Sequence, residues 1–215
     1  MLLLMNRRLS ICLLLAAAPL VVAAPGTHGQ GLKGREILGL RVGGVLSSDL
    51  LRDKFGDGSE IEIHFIEGLN PWLGINIALS SHNLGKSKDR DKNIEYTGLD
   101  RPVKLQIFSV TAAVLAVKHI GDRFSPTIEG GFGLYTINGV IQEGLYEGSI
   151  TDNQTGIYGG VGLLYRVTRS LFINANAKYH YIFSGDDRRS TVYFYTGEER
   201  LSLYQIAVGV AIYTG

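Results

Sequence analysis

The sequence predicts an all-β fold, an eight-stranded antiparallel up-and-down transmembrane β-barrel, and three features point to it. After about residue 25 the chain falls into eight segments in which every second side chain is apolar. The connections between them alternate between long and short. A helix needs ~20 apolar residues to cross a bilayer, and the longest apolar run in this part of the chain is only Val110–Val117.

The segments follow one scheme, because side chains alternate across an extended strand. In Glu36–Leu46, Leu38, Leu40 and Val42 oppose Gly39, Arg41 and Gly43. In Glu60–Leu69, Ile61, Ile63 and Phe65 oppose Glu60, Glu62 and His64. The tight turn Asn70-Pro71 leads into Trp72–Ser81, where Leu73, Ile75, Ile77 and Leu79 oppose Gly74, Asn76, Ala78 and Ser80. In Val103–Lys118 the sequence sets Val103, Leu105 and Ile107 outward against Lys104 and Gln106. From Val110 onward both faces are apolar and a bulge is allowed for. Thr127–Thr136 sets Ile128, Phe132 and Leu134 against Glu129, Gly131 and Gly133. Ile157–Val167 sets Val161, Leu163 and Tyr165 against Gly160, Gly162 and Arg166. In Leu171–Phe183 the inner set is Phe172, Asn174, Asn176, Lys178 and His180. Leu201–Tyr213 turns Tyr204, Ile206, Val208, Val210 and Ile212 outward, with Gln205, Ala207 and Gly209 inward.

Long loops are expected at about 47–59, 82–102, 137–155 and 184–200, and short turns at Asn70-Pro71, His119–Pro126 and Thr168–Ser170. Long connections on one side and short on the other, over an even number of strands, is the layout of a bacterial outer-membrane barrel. A closed sheet also leaves no backbone edge unsatisfied where water is missing. Trp72, Tyr165, Tyr179, Tyr181, Tyr204 and Tyr213 suit the membrane–water interfaces.

The first 24 residues read as a cleaved signal peptide, leaving 25–215 as the barrel domain. Arg7 and Arg8 precede an apolar stretch from Leu9 to about Val22, and Ala23-Ala24 closes it. Pro19 and the short length disfavour a membrane anchor. Cys12, the sole cysteine, lies in this leader, so the barrel domain holds no thiol for a disulfide or a metal. The chain carries 21 Lys and Arg against 20 Asp and Glu, which excludes the strongly basic balance of a nucleic-acid binder. Its 28 glycines suit closely packed or bent strands.

A barrel of eight strands has room inside for little beyond side chains. The expected lumen network is therefore Arg41, Glu62, His64, Lys104, Glu129, Arg166, Lys178 and His180, with the four cations Arg41, Lys104, Arg166 and Lys178 pairing to Glu62 and Glu129.

The stretch GVGLLYRVTRSLFINANAKYHYI (Gly160–Ile182) resembles the penultimate hairpin of OmpW-like outer-membrane proteins. SPTIEGGFGLYTI (Ser125–Ile137) is similar to a strand shared with OmpA-like barrels, and LNPWLGINIALSSHNLG (Leu69–Gly85) to their second turn and third strand. The resemblance implies a non-enzymatic protein that binds or passes small, hydrophobic molecules. The expected partners are outer-membrane lipid, lipopolysaccharide and the outer-membrane insertion machinery. Lys178 and Glu129 depart from an apolar interior of that kind.

Catalytic chemistry finds little support. His180 and Ser184 share a parity, but four residues of strand hold them ~13 Å apart. The five histidines lack metal-ligand spacing, so no cofactor or metal is expected. The loop runs GKSKDRDKN and GDDRRS offer Lys86, Lys88, Arg90, Lys92, Arg188 and Arg189 to anionic surfaces. The alternatives to transport are thus a plugged structural barrel whose loops bind lipopolysaccharide or other partners, and a lipid-A-modifying enzyme.

Overall fold

Alternating side chains give each extended segment two unlike faces, and eight such segments join into one closed sheet. The computed structural model describes residues 32–47, 56–86, 103–143, 146–183 and 200–214. The strands are β1 (Glu36–Ser47), β2 (Gly58–Gly68), β3 (Leu73–Lys86), β4 (Val103–Val117), β5 (Phe124–Glu143), β6 (Tyr146–Arg166), β7 (Leu171–Phe183) and β8 (Arg200–Tyr213). Each pairs antiparallel with the next, and β8 pairs back onto β1 from Ile37↔Tyr213 to Ser47↔Leu203. The ladder therefore closes.

The outer wall is apolar through its middle. Leu38, Leu40 and Val42 on β1, Ile61 and Ile63 on β2, and Ile206, Val208 and Val210 on β8 are all exposed there. Such a belt has no driving force to face water, and in a bilayer it meets lipid chains.

Along the barrel axis the two faces exchange character. Inside, a polar middle layer lies between two apolar clusters. One holds Val45, Leu84, Leu105, Ile107, Tyr135, Ile137, Ile182, Leu201 and Leu203. The other holds Leu32, Ile37, Ile66, Leu115, Val117, Leu164, Phe172 and Ala211. Outside, the apolar belt gives way to polar residues at both ends, such as Glu36 and Glu67 below and Asn83 and Lys104 above. Beyond the hydrocarbon the outer face is wet, while the ends of the lumen are closed by apolar side chains.

This exchange corrects the expected facing of β4. Leu105 and Ile107 point inward and are fully buried, whereas Lys104 is exposed on the outer face. The apolar-outward rule had been carried past the hydrocarbon level, where it no longer holds. No bulge interrupts β4 against β5, which pair without a break from Val103↔Ile141 to Val117↔Thr127. The irregularity lies on the other side, between Asn83 and Lys86 of β3.

A second correction concerns the expected loop at 137–155. Residues 137–143 and 146–155 continue β5 and β6 as an antiparallel ribbon, paired from Ile137↔Asp152 to Glu143↔Tyr146. Residues 146–154 lie beyond the last pairing of β6 with β7, Thr155↔Phe183. Outside the hydrocarbon this segment needs no apolar face, which hid it from a pattern search. Cross-strand bonds Thr136 Oγ1→Asn153 Oδ1 (2.8 Å) and Thr151 Oγ1→Asn138 Oδ1 (2.7 Å) hold it instead. β3 likewise runs on to Lys86, past the expected end at Ser81.

Ser47, Gly58, Lys86, Val103, Phe183 and Arg200 end their strands at the ribbon's end of the barrel, and the turns 69–72, 118–123 and 167–170 lie at the other. Long connections face the outside in this class, so the ribbon end is extracellular. Two periplasmic turns are clamped by His119, whose Nε2–H donates to the Pro71 carbonyl (3.2 Å) while Nδ1 accepts from the Ser125 hydroxyl (2.8 Å). Partial burial lowers the pKa of this imidazole from its ordinary value.

Candidate functional site

Glu62 lies at the centre of the polar layer. Its register partner on β1 is Arg41, so the two side chains enter the lumen side by side. Arg41 Nη1 reaches Glu62 Oε1 at 2.6 Å. Lys178, from β7 on the other side of the barrel, places Nζ 2.8 Å from Glu62 Oε2 and 3.3 Å from Glu129 Oε1 of β5. Two buried cations thus face two buried carboxylates.

Neutral side chains bond to three of these four ions. Arg41 Nε donates to Asn174 Oδ1 (3.2 Å), Asn76 Nδ2 to Glu129 Oε2 (2.6 Å), and Ser80 Oγ to Glu62 Oε2 (3.3 Å). A directional relay also ends on Glu62. Tyr135 O–H donates to His180 Nδ1 (2.9 Å), and His180 Nε2–H donates to Gln205 Oε1 (2.8 Å). Gln205 Nε2 then donates to Glu62 Oε2 (3.2 Å). The amide orientation of Gln205 sets this order, since its nitrogen is engaged with a carboxylate. Around the relay, Tyr158 stacks on His180 at 5.3 Å and lies 5.4 Å from Lys178 Nζ.

Small residues make the space. Gly39 faces His64 across the β1–β2 ladder, and a methyl group at 39 would run into the His64 ring. His64 is fully buried, with Nε2 3.4 Å from Asn174 Nδ2 and Nδ1 3.9 Å from Glu62 Oε1.

Of the eight lumen residues expected from sequence, Arg41, Glu62, His64, Glu129, Lys178 and His180 come together in this layer. Lys104 and Arg166 do not. Lys104 lies on the outer wall at the extracellular rim. Arg166 has inward parity, but it ends β6 at the periplasmic side, six residues from the Gly160 that faces Glu129. That is ~20 Å along the strand, too far to pair with Glu129. The loop residues Lys88, Arg90, Lys92, Arg188 and Arg189 lie outside the described residues, and Lys86 ends β3.

The relay residues Tyr135 and Gln205, and the neighbouring Tyr158 and His82, were not singled out from sequence. Parity carried the signal. Tyr135 continues the inward series of Glu129, Gly131 and Gly133, Tyr158 that of Gly160 and Gly162, and His82 that of Asn76, Ala78 and Ser80.

His82 also forms a carboxylate–imidazole–hydroxyl series, with Glu60 Oε2 at 4.0 Å from its Nδ1 and Ser109 Oγ at 3.4 Å from its Nε2. Both distances exceed the 2.6–3.2 Å or so that a working nucleophile and base share. All three residues are buried. Among the described residues no group of His, Cys, Asp and Glu is arranged to hold a metal.

A closed antiparallel barrel with an apolar outer belt and an ion-paired interior defines an integral outer-membrane protein. The chain belongs to the outer membrane protein beta-barrel domain family, whose profile matches residues 10–212. Its fold is similar to Neisserial surface protein A, with 15% identity, a TM-score of 0.56, and coverage of 84% of this chain and 97% of that one. It is similar also to OprG of Pseudomonas aeruginosa (12% identity, TM-score 0.52, 87% and 99% covered). A third likeness is to Ail, the attachment invasion locus protein of Yersinia pestis (11% identity, TM-score 0.52, 85% and 99% covered), solved with the heparin analogue sucrose octasulfate. No curated protein matches the sequence. The protein resides in the bacterial outer membrane.

Proposed function

We propose that this protein is a plugged, non-enzymatic barrel that works through its extracellular end, where its loops meet anionic molecules of the cell surface. The observation that carries this reading is the filling of the lumen at three levels. Two apolar clusters enclose a layer in which Arg41, Glu62, Lys178 and Glu129 neutralise one another. An ion entering that layer would have to displace side chains from pairs formed at low dielectric, where breaking one is costly. A passage for small molecules, the role implied by the OmpW resemblance, therefore has less support than a plug.

One extracellular connection suits a polyanion: the stretch Gly85–Asn93 holds four bases and two acids, whereas Arg188-Arg189 in the last connection directly follow Asp186-Asp187. The Ail structure carries a sulfated sugar, which is the kind of ligand such loops would take. Leader cleavage near Ala24 would deliver the chain to the envelope, and the insertion machinery would place it there.

The test uses the refolded mature chain in planar bilayers and in a binding assay with sucrose octasulfate. The expected results are silent insertion, and binding that weakens about tenfold when Lys88, Arg90, Lys92, Arg188 and Arg189 are changed to alanine (~1.4 kcal/mol). Discrete conductance steps, or binding indifferent to those five substitutions, would overturn the proposal.

A further inference from the structure

On the outer wall, strands β2 to β6 enclose an open concavity of about 580 Å³, within the roughly 300–1,000 Å³ range of ligand sites. Its floor is apolar, formed by Ile61, Ile63, Leu79, Phe108, Val110 and Leu134. Its upper rim is polar, with Ser81, Thr136 and Asn153 at the level of Phe108 in the strand register.

One register step higher stand Asn83, Gln106, Asn138 and Thr151 in adjacent positions on β3, β4, β5 and β6. Thr136 and Thr151 each donate to an asparagine oxygen, which leaves the amide N–H groups of Asn153 and Asn138 available as donors. Above them Lys104 is exposed on β4.

From Lys104 to Phe108 is four residues, ~13 Å of strand. At the ~40° tilt of such barrels this is ~10 Å along the membrane normal, and a lysine stem spans part of it. The wall thus reads downward as cation, then amides and hydroxyls, then apolar groove. On the other side of the barrel the same rim carries Leu46, Tyr181, Phe183 and Tyr204.

We infer that this wall is a binding site for a phosphorylated glycolipid of the outer leaflet, of the lipid A kind. A phosphate would lie at Lys104, sugar hydroxyls at the amide band, and an acyl chain in the groove. The amide band decides between lipids, since an ordinary phospholipid offers no sugar to it. The site lies on strand residues within the membrane and does not depend on the loop contacts proposed above.

The test adds bisphosphorylated lipid A, its dephosphorylated form, and dioleoyl phosphatidylglycerol in turn to the refolded mature chain in zwitterionic micelles. Native mass spectrometry then counts retained lipid. One lipid A per barrel is expected, retained at least tenfold over either alternative, with a fivefold or greater loss in the Lys104→Gln variant. Equal retention of all three lipids, or no loss in the variant, would overturn the inference. Should that variant fail to fold, Asn138→Ala/Asn153→Ala is expected to show the same loss, and unchanged retention there would overturn it equally. The five-residue loop variant is expected to keep its lipid A. Loss confined to that variant would place the lipid on the loops and refute the wall site, whereas loss of sucrose octasulfate binding alone bears only on the loops.

Discussion

Changing Glu62 to alanine is expected to destabilise the barrel by about 3–5 kcal/mol, the cost of stranding buried charge. Glu62 faces both Arg41 and Lys178, and all three side chains are at most 6% exposed. After the substitution Lys178 keeps Glu129 at 3.3 Å, while Arg41 keeps only the neutral Asn174. Arg41 is therefore the group that suffers. Urea unfolding in lipid vesicles measures the loss. Replacing the whole set, with Arg41→Met, Glu62→Leu, Lys178→Met and Glu129→Leu together, should recover part of it, because a satisfied apolar core costs less than an uncompensated charge. A Glu62→Ala barrel as stable as the parent would mean that water already screens Arg41.

Gly209→Val is expected to be nearly as damaging, by about 3 kcal/mol or more, since no relaxed rotamer removes a backbone clash. Gly209 sits on β8 between Arg41 of β1 and Asn174 of β7. A side chain there would run into the Leu40 carbonyl and come 2.7 Å from Arg41 Cα. The clash falls on the β1–β8 seam, the pairing that closes the barrel. The folded fraction, read from heat-modifiable mobility on a gel, should drop sharply. Gly130→Ala is the control, because its nearest contact would be an ordinary 3.9 Å to the Tyr158 carbonyl. If both variants fold alike, the seam is looser than described.

These positions also mark how far the sequence could be read. Within the hydrocarbon, lipid makes the outer face uniformly apolar, so parity placed Arg41, Glu62, Glu129 and Lys178 inside correctly. Beyond it the same parity misled, and Lys104 was expected inside while Leu105 was expected outside. Nothing local in the sequence marks the depth at which the rule reverses. The ribbon of β5 and β6 was missed for a related reason, since Thr136–Asn153 and Thr151–Asn138 rungs show no apolar alternation. The particular pairings were not legible either. Lys178 and Glu62 are 116 positions apart and meet only because the sheet closes.

The most direct test compares cysteines at two adjacent positions of β8. The single cysteine, Cys12, precedes the first strand, so the eight strands contain none. Ala207 is 2% exposed on the inner face and Val208 58% exposed on the outer. In refolded protein, Val208→Cys is expected to react with a membrane-partitioning maleimide and its fluorophore to be quenched by lipid nitroxides. Ala207→Cys is expected to resist both that reagent and a charged thiosulfonate added from either side. Rapid modification of Ala207→Cys by the charged reagent would reveal a water-filled lumen and contradict the plugged barrel.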